Sequence, residues 1–200
     1  MINDPRFANA NRNIAPAMAV PRPAAGRSVI KIILGIVAAL IALLLGLLVL
    51  LLIGVQTGPV ALLIGLVSAT LPVPIYLALV LWIDRYEAEP YWMLGTAFFW
   101  GALVAVFFAY VLNTAGSVVV MLLTNDVRAG ETFGAVISAP IVEETAKALI
   151  LFIFFFFKKD EFDGVIDGIV YAAMVGLGFA MTENIQYYGL AVTKAGGGGL

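Results

Sequence analysis

The sequence predicts an all-α membrane protein, a polytopic bundle of about five transmembrane helices. Hydrophobic residues make up 62% of the 200-residue chain and charged residues 12%, and the mean hydropathy is +1.04. Soluble domains are usually about 45–50% apolar, so a soluble chain of this length could not bury so much apolar surface. The apolar residues also gather into five runs, each close to or above the ~20 residues that cross ~30 Å of hydrocarbon.

The five apolar runs are separated by short polar connections. They comprise Val29–Ile53, Pro59–Ile83, Met93–Leu122, Phe133–Phe157 and Val165–Tyr188. The first run is too long for the apolar core of a cleaved secretory signal, so it is predicted to remain as a membrane helix. Residues 1–28 are rich in Asn, Pro, Ala and Arg without an apolar period, which predicts a disordered tail. Residues 191–200 form a glycine-rich end.

The positions of the basic residues predict the orientation in the membrane. If the helices alternate, the arginines of the tail fall on the same side as Arg85, Lys158 and Lys159. The other side receives only Arg128 and Lys194. The positive-inside rule then places the N-terminus in the cytoplasm, in a multi-pass protein of the cell membrane surrounded by lipid.

The composition also excludes several kinds of partner and site. The formal net charge is −2 and the basic residues are scattered, so nucleic acid is not an expected partner. Cysteine and histidine are both absent, which excludes disulfides and thiolate metal sites in these 200 residues.

Five ionisable residues lie within the last two apolar runs. Glu143, Glu144 and Lys147 belong to the fourth run, and Asp167 and Glu183 belong to the fifth. A charged side chain in hydrocarbon costs at least ~2.5–3.5 kcal/mol on insertion scales, so such residues are candidates for function.

The helical spacing of the fourth run lets one lysine neutralise one of two acids. Glu143 and Glu144 lie four and three residues before Lys147, within reach of its ammonium group. Two adjacent carboxylates in a medium of low dielectric constant do not both ionise, so a protonated acid is predicted beside an ionised base. Because the fourth and fifth helices are antiparallel, Glu183 is expected to join this pair in the outer half of the bilayer.

Structural interpretations of the same residues stay open at this stage. The charges of the fourth run could form a buried ion-pair cluster that only fixes helix register. Glu183 and Asn184 could mark an interfacial helix end, and Asp163 and Asp167 are predicted to be interfacial, since aspartate is favoured near a helix N-terminus. Small residues of the fifth run predict close approach of a neighbouring helix; they are Gly164, Gly168, Ala172, Ala173, Gly176, Gly178 and Ala180.

Three motifs together resemble the PrsW family of intramembrane proteases, which is similar to the CAAX-protease group of glutamate-dependent membrane enzymes. They are DRYEAEP from Asp84, APIVEETAKAL around Glu143, and EFDGVIDGIVYAAMVGLGFAMTENIQYY ending at Tyr188. The motifs occur in the family's order and cover approximately residues 82–188.

The resemblance implies hydrolysis of peptide bonds in membrane-bound protein substrates such as anti-sigma factors. Carried over residue by residue, Glu143, Glu144 and Glu183 correspond to catalytic or metal-binding acids, and Lys147 and Asn184 lie in the same motifs. One glutamate could act as general base on water while a protonated neighbour donates to the leaving amine. Alternatively, a divalent metal such as zinc, held by these carboxylates, would activate the water. The residues leave both mechanisms open.

One feature of the family is missing from the chain. The family's pattern continues with further membrane helices that bear a histidine, and this sequence contains none. Zinc normally takes His or Cys ligands. We therefore expect residues 29–190 to be part of a PrsW-like protease domain, truncated at the C-terminal side and inactive by itself. The oligomeric state is not determined by the sequence.

Two other classes of function also fit intramembrane acids. An ion- or proton-coupled transporter would use them as a relay, although transporters commonly show internal repeats, and none is found here. A non-catalytic membrane scaffold with a protease-like fold would account for the missing histidine.

Overall fold

The computed structural model describes residues 25–196, and within this range it contains helices, short connections and no strand. The α-helices are α1 (Ala25–Thr57), α2 (Pro59–Thr70), α3 (Val73–Asp84), α4 (Tyr91–Phe99), α5 (Val106–Thr124), α6 (Val127–Phe133), α7 (Ala139–Phe157) and α8 (Val165–Ala195). Most of the predicted tail, residues 1–24, and the end of the glycine-rich segment, residues 197–200, lie outside the described residues.

The predicted all-α membrane bundle is confirmed. In the part of the chain that the structure describes, four helices are long and apolar enough to cross a membrane: Val29–Thr57, Pro59–Asp84, Tyr91–Thr124 and Val165–Ala195. The fourth predicted run lies in a continuous helical segment, residues 127–157. It is not among the four because its three central charged residues leave no apolar stretch of sufficient length.

The second span is kinked where two prolines interrupt it. Helix α2 ends at Thr70 and α3 begins at Val73, with Pro72 preceding α3 and Pro74 in its first turn. A proline has no backbone N–H to donate and its ring collides with the preceding turn, so the helix bends at this point.

Two π-helical stretches interrupt the α-helical geometry of the following segments. Residues Trp100–Ala105 join α4 to α5, and residues Gly134–Ser138 join α6 to α7. A π-turn shifts the helix register and is frequent at functional sites.

The segments α2–α3, α4–α5, α6–α7 and α8 alternate in direction within the second of two compact units, which begins at Ala39. At one end the Tyr171 hydroxyl, early in α8, donates to Glu89 of the α3–α4 connection. At the other end the Thr193 hydroxyl, late in α8, donates to the Thr57 carbonyl at 3.1 Å. Helix α8 also packs against α2, α3, α4 and α7, which makes it the central helix of this unit.

Glycines let neighbouring helices approach the backbone of α8. A side chain at Gly178 would collide with the Phe98 carbonyl, and one at Gly101 would collide with the Val175 carbonyl. The predicted close approach is therefore present at Gly178. At Gly176 no atom of residues 25–196 lies within 4 Å of the position a Cβ would take.

Candidate active site

A cavity of about 200 Å³ lies among α1, α5, α7 and α8. Its volume exceeds that of several water molecules, each of which occupies about 30 Å³ in the liquid. Glu143 of α7 and Glu183 of α8 both line it, and the other lining residues are Val49, Ile53, Val106, Ala109, Tyr110, Asn113, Thr114, Phe179, Thr182, Gln186 and Tyr187. Two carboxylates far apart in sequence thus face one partly polar space inside the bundle.

Glu143 has a cation and an amide close to its carboxylate. Its Oε2 lies 4.0 Å from the Lys147 ammonium, and its side chain is 20% exposed. The Asn113 Nδ2 donates to its Oε1 at 3.5 Å. Lys147 lies one helical turn after Glu143 and is held over the Phe179 ring, 3.9 Å from its centroid. Both oxygens of Glu143 therefore have a favourable neighbour.

Glu183 has a weaker set of partners. The Tyr187 hydroxyl donates to its Oε1 at 3.5 Å, and both side chains line the cavity. Because α8 carries Glu183 and Tyr187 four residues apart, they lie on the same helix face. Of the two carboxylates in the cavity, Glu143 has more neighbouring groups that stabilise its negative charge.

The structure leaves three of the predicted site residues outside the cavity lining. Lys147 lies 4.0 Å from Glu143 without lining the cavity, and the other two are Glu144 and Asn184. The Glu144 side chain is 73% exposed and accepts a hydrogen bond from Lys147 at 2.8 Å. Asn184 is half-buried and does not line the cavity. Residues adjacent to Glu143 and Glu183 are turned about 100° away on their helices, which accounts for the positions of Glu144 and Asn184. Their predicted roles are not tested by this placement.

The π-helical stretch Trp100–Ala105 forms hydrogen bonds with both helices that carry the glutamates of the cavity. The Trp100 indole donates to the Ala146 carbonyl of α7 at 2.9 Å. The buried Thr182 hydroxyl, on α8, donates to the Ala102 carbonyl at 2.8 Å. The positions of Glu143 and Glu183 relative to each other therefore depend on one shared element.

The sequence analysis did not identify two polar contributors to this region, Asn113 and Tyr110. Asn113 lines the cavity, and Tyr110 accepts a hydrogen bond from Gln56 at 2.7 Å. Gln186 donates to Gln56 at 3.2 Å, so Gln186, Gln56 and Tyr110 form a chain of hydrogen-bonded side chains. A solitary asparagine within a long apolar run was the available signal for Asn113.

A second cluster of buried carboxyl groups lies at the opposite end of the bundle. Asp84, Glu89 and Asp167 are 4%, 6% and 1% exposed. The backbone N–H of Glu89 donates to Asp84 at 3.0 Å, and the Tyr171 hydroxyl donates to Glu89. Burial raises the pKa of Glu89 from 4.5 to about 7, with Asp167 and Asp84 adding to the effect and the Tyr171 hydrogen bond opposing it.

Asp167 lies in the first turn of α8, as the sequence predicted, and is buried within the protein. Its Oδ2 accepts hydrogen bonds from the backbone N–H groups of Asp163 and Gly164, at 2.9 and 2.7 Å, so it caps the start of α8 as expected. The side chain is nevertheless fully buried, because the α3–α4 connection covers it. Asp163 is exposed.

The described residues do not form a three-ligand metal site. Among residues 25–196, no three His, Cys, Asp or Glu side chains are grouped so that they could hold a metal ion. Catalytic zinc usually has three protein ligands, of which His is the commonest type. Glu143 and Glu183 supply two carboxylates to the cavity, and Glu144 points away from it.

Comparison with known proteins places the chain in a family. The profile described as PrsW family intramembrane metalloprotease matches residues 89–200. Protease PrsW of Geobacillus kaustophilus (strain HTA426) is 40% identical over 107 residues, which are 52% of this chain and 43% of that protein. Protease PrsW of Bacillus subtilis (strain 168) is 36% identical over 107 residues, 52% of this chain and 44% of that protein.

A third relative gives the same result. Protease PrsW of Clostridioides difficile (strain 630) is 35% identical over 107 residues, 52% of this chain and 42% of that protein. The matches thus span less than half the length of these relatives, and no solved structure matches the chain. Because the profile covers more than half of its residues, the chain belongs to the PrsW family of intramembrane metalloproteases.

Proposed function

We propose that the protein is an intramembrane peptidase that hydrolyses peptide bonds of membrane-bound protein substrates in the cavity between Glu143 and Glu183. The observation that carries the proposal is the convergence of these two carboxylates, from two helices, on one cavity inside an apolar bundle. Intramembrane carboxylates are costly and are retained where they serve a function. Membership of the PrsW family supports the reaction class.

The partners of the two glutamates suggest a division of roles. Glu143, beside Lys147 and Asn113, is the ionised general base that accepts a proton from water as the water oxygen attacks the peptide carbonyl carbon. Among the described residues, Glu183 accepts a hydrogen bond from the Tyr187 hydroxyl alone. It shares the Lys147 charge with Glu143, and in this proposal it is the protonated acid. As the C–N bond breaks, its proton passes to the leaving amine.

Glu144 and Asn184 have supporting roles in this proposal. Glu144 contacts Lys147 at 2.8 Å and so holds the ammonium group next to Glu143. Asn184 follows Glu183 on α8 without lining the cavity.

A metal ion is a further element of the proposal, suggested by the family description. A bound divalent ion such as zinc would lower the pKa of its water molecule. Glu143 and Glu183 would give it two oxygen ligands, and the described residues offer no third. Chelation with EDTA tests this point, since cleavage that survives it would indicate that the glutamates act on water directly.

The test of the proposed function is the loss of cleavage on neutralising either carboxylate. The full-length protein is reconstituted in liposomes with quenched fluorescent casein and with tagged single-span membrane proteins, anti-sigma factors included. We expect Glu143→Gln and Glu183→Gln to lower kcat at least ~100-fold, the usual contribution of a general acid or base. The matched control is Glu131→Gln, an exposed carboxylate on α6. Preserved cleavage in both variants would overturn the assignment in favour of a transporter or a scaffold.

The orientation of the bundle is part of the same proposal. The connections at residues 85–90 and 158–164 lie at one end, where Glu89 contacts Tyr171 early in α8. They carry Arg85, Lys158 and Lys159. Under the positive-inside rule this end and the N-terminus face the cytoplasm.

A further inference from the structure

A row of small residues brings the segment that precedes Glu143 against α5. Gly130, Gly134 and Ser138 are buried and spaced four apart, so they lie on one face of the helical segment. A side chain at Gly130 would collide with the Ser117 carbonyl, and one at Gly134 would collide with the Ser117 side chain. Small residues at this spacing let membrane helices pack closely. The register between α5 and the segment leading to Glu143 is therefore fixed.

This contact holds the Asn113 amide in place. The Ser138 hydroxyl, in a residue that is 8% exposed, donates to the Asn113 Oδ1 at 2.8 Å. A serine hydroxyl can donate or accept, so the orientation of the amide follows from the carboxylate, which only accepts, and the Nδ2 group faces Glu143 Oε1 at 3.5 Å. In the opposite orientation an amide oxygen would face a carboxylate oxygen, which is unfavourable.

We propose that Asn113 is a positioning residue for Glu143: held in place by Ser138, its amide donates to one carboxylate oxygen and fixes the direction of the other. The catalytic part of this inference rests on the proposed function. The distance of 3.5 Å is long for a hydrogen bond, and such contacts commonly tighten when substrate binds. Asn113 lines the cavity with Glu143, so the contact lies beside the space where a substrate would react.

The first experiment compares two substitutions to test whether Asn113 acts as a hydrogen-bond donor or only fills space. Asn113→Asp keeps the shape of the side chain but replaces the donor with an acceptor, and Asn113→Ala removes both. If the amide donates to Glu143, Asp lowers kcat more than Ala does, and Ala lowers it about 10-fold, as for a lost hydrogen bond to a charged group. KM for the quenched casein stays within twofold. The reverse order, with Asp the milder change, would overturn the proposal.

The second experiment tests whether Ser138 acts through Asn113. Ser138→Ala is expected to lower kcat several-fold in the wild-type background and to have no further effect in Asn113→Ala, because contacting residues that act in series are not additive. Ser68→Ala, on an exposed face of α2, is the control. Melting temperatures are measured for every variant. A fall in kcat that simply follows the melting temperature, or full additivity of the two substitutions, would argue against positioning.

A third measurement does not require activity. The infrared carboxyl band of Glu143 is identified as the band that Glu143→Gln removes, and we expect Asn113→Ala and Ser138→Ala to shift it while Ser68→Ala does not. An unshifted band overturns the positioning role. If the band shifts but the wild-type protein cleaves neither casein nor any of the membrane proteins, the proposed function fails and the positioning of Glu143 stands.

Discussion

The carboxyl groups of this protein differ in the charged groups and hydrogen-bond donors that surround them. Glu143 has an ammonium group and an amide nearby, and Glu183 has one hydroxyl donor and shares the same ammonium charge. Glu89 is packed against a tyrosine and two other acids at the far end of the bundle. A carboxylate with few donors favours its protonated form. The chemistry of each residue is therefore set partly by neighbours one helical turn away, such as Lys147, and partly by distant ones, such as Asn113.

Glu89 makes the stability of the protein depend on pH. Its pKa is raised from 4.5 to about 7, so the folded state retains a proton that the unfolded state releases. This contribution to stability is fully present below about pH 4.5 and is lost as the pH rises through 7, a change of up to about 3 kcal/mol.

We expect the melting temperature of the wild-type protein in detergent to fall between pH 5 and pH 8, and Glu89→Gln, which mimics the neutral acid, to flatten that dependence. Glu87→Gln changes an exposed carboxylate in the same connection and is the control. A pH dependence in Glu89→Gln as steep as that of the wild type would show that Glu89 is not its source.

At the scale of elements, the π-helical stretch Trp100–Ala105 joins the two helices of the site. It accepts a hydrogen bond from Thr182 of α8 and donates one to Ala146 of α7. Close packing at Gly101 and Gly178 brings the backbones together at the same level. A shift of register in this stretch would move Glu143 and Glu183 relative to each other.

Thr182→Val tests this role by removing the hydroxyl while keeping the shape of the side chain. We expect kcat to fall about 10-fold with KM nearly unchanged, because Glu183 is displaced, and unfolding to become easier by about 1 kcal/mol. Thr96→Val is the control, since the Thr96 hydroxyl is exposed and donates only to Trp92 of its own helix. Unchanged kinetics in Thr182→Val would show that the π-helical stretch does not position the residues of the site.

At the scale of the whole molecule, the alternation of the helices predicts which connections share a side of the membrane. The chain contains no cysteine, so a single introduced thiol reports its own location. Val127 and Glu161 are exposed residues near the two ends of the helical segment 127–157.

We expect a membrane-impermeant maleimide to label Val127→Cys in intact cells and Glu161→Cys only after permeabilisation. This pattern follows from a cytoplasmic N-terminus and a fourth segment that crosses the membrane despite its charges. Labelling of both variants in intact cells would mean that the segment does not cross, and the reverse pattern would invert the bundle.

Much of the fold could be predicted because it depends on properties local to the chain. Apolar runs of spanning length become membrane helices wherever they occur, since every backbone polar group must be satisfied within the segment. The same holds for the glutamates of the last two runs, because an ionisable residue inside a long apolar run is visible in the sequence alone. Glu143 and Glu183 were therefore identifiable in advance as candidates.

The remainder of the site depended on which helix faces meet. Glu143 and Glu144 are adjacent and chemically equivalent, and only packing against α5 and α8 turns one into the cavity and leaves the other exposed. Asn113 and Ser138 are 25 residues apart, and their contact has no signature in sequence spacing. Asp167 was expected at the interface because the capping preference is local, whereas its burial comes from a connection some 80 residues earlier.

The membrane bundle, its approximate spans, the acids that could carry chemistry and the family resemblance could be predicted, since hydrophobic length, charge and motif are read within single segments. The packed helices were needed to show which acids share a cavity, which polar groups orient them and where the helix register shifts. Those features arise from contacts between segments. Such contacts form only when the helices pack, so they cannot be read from the order of the residues.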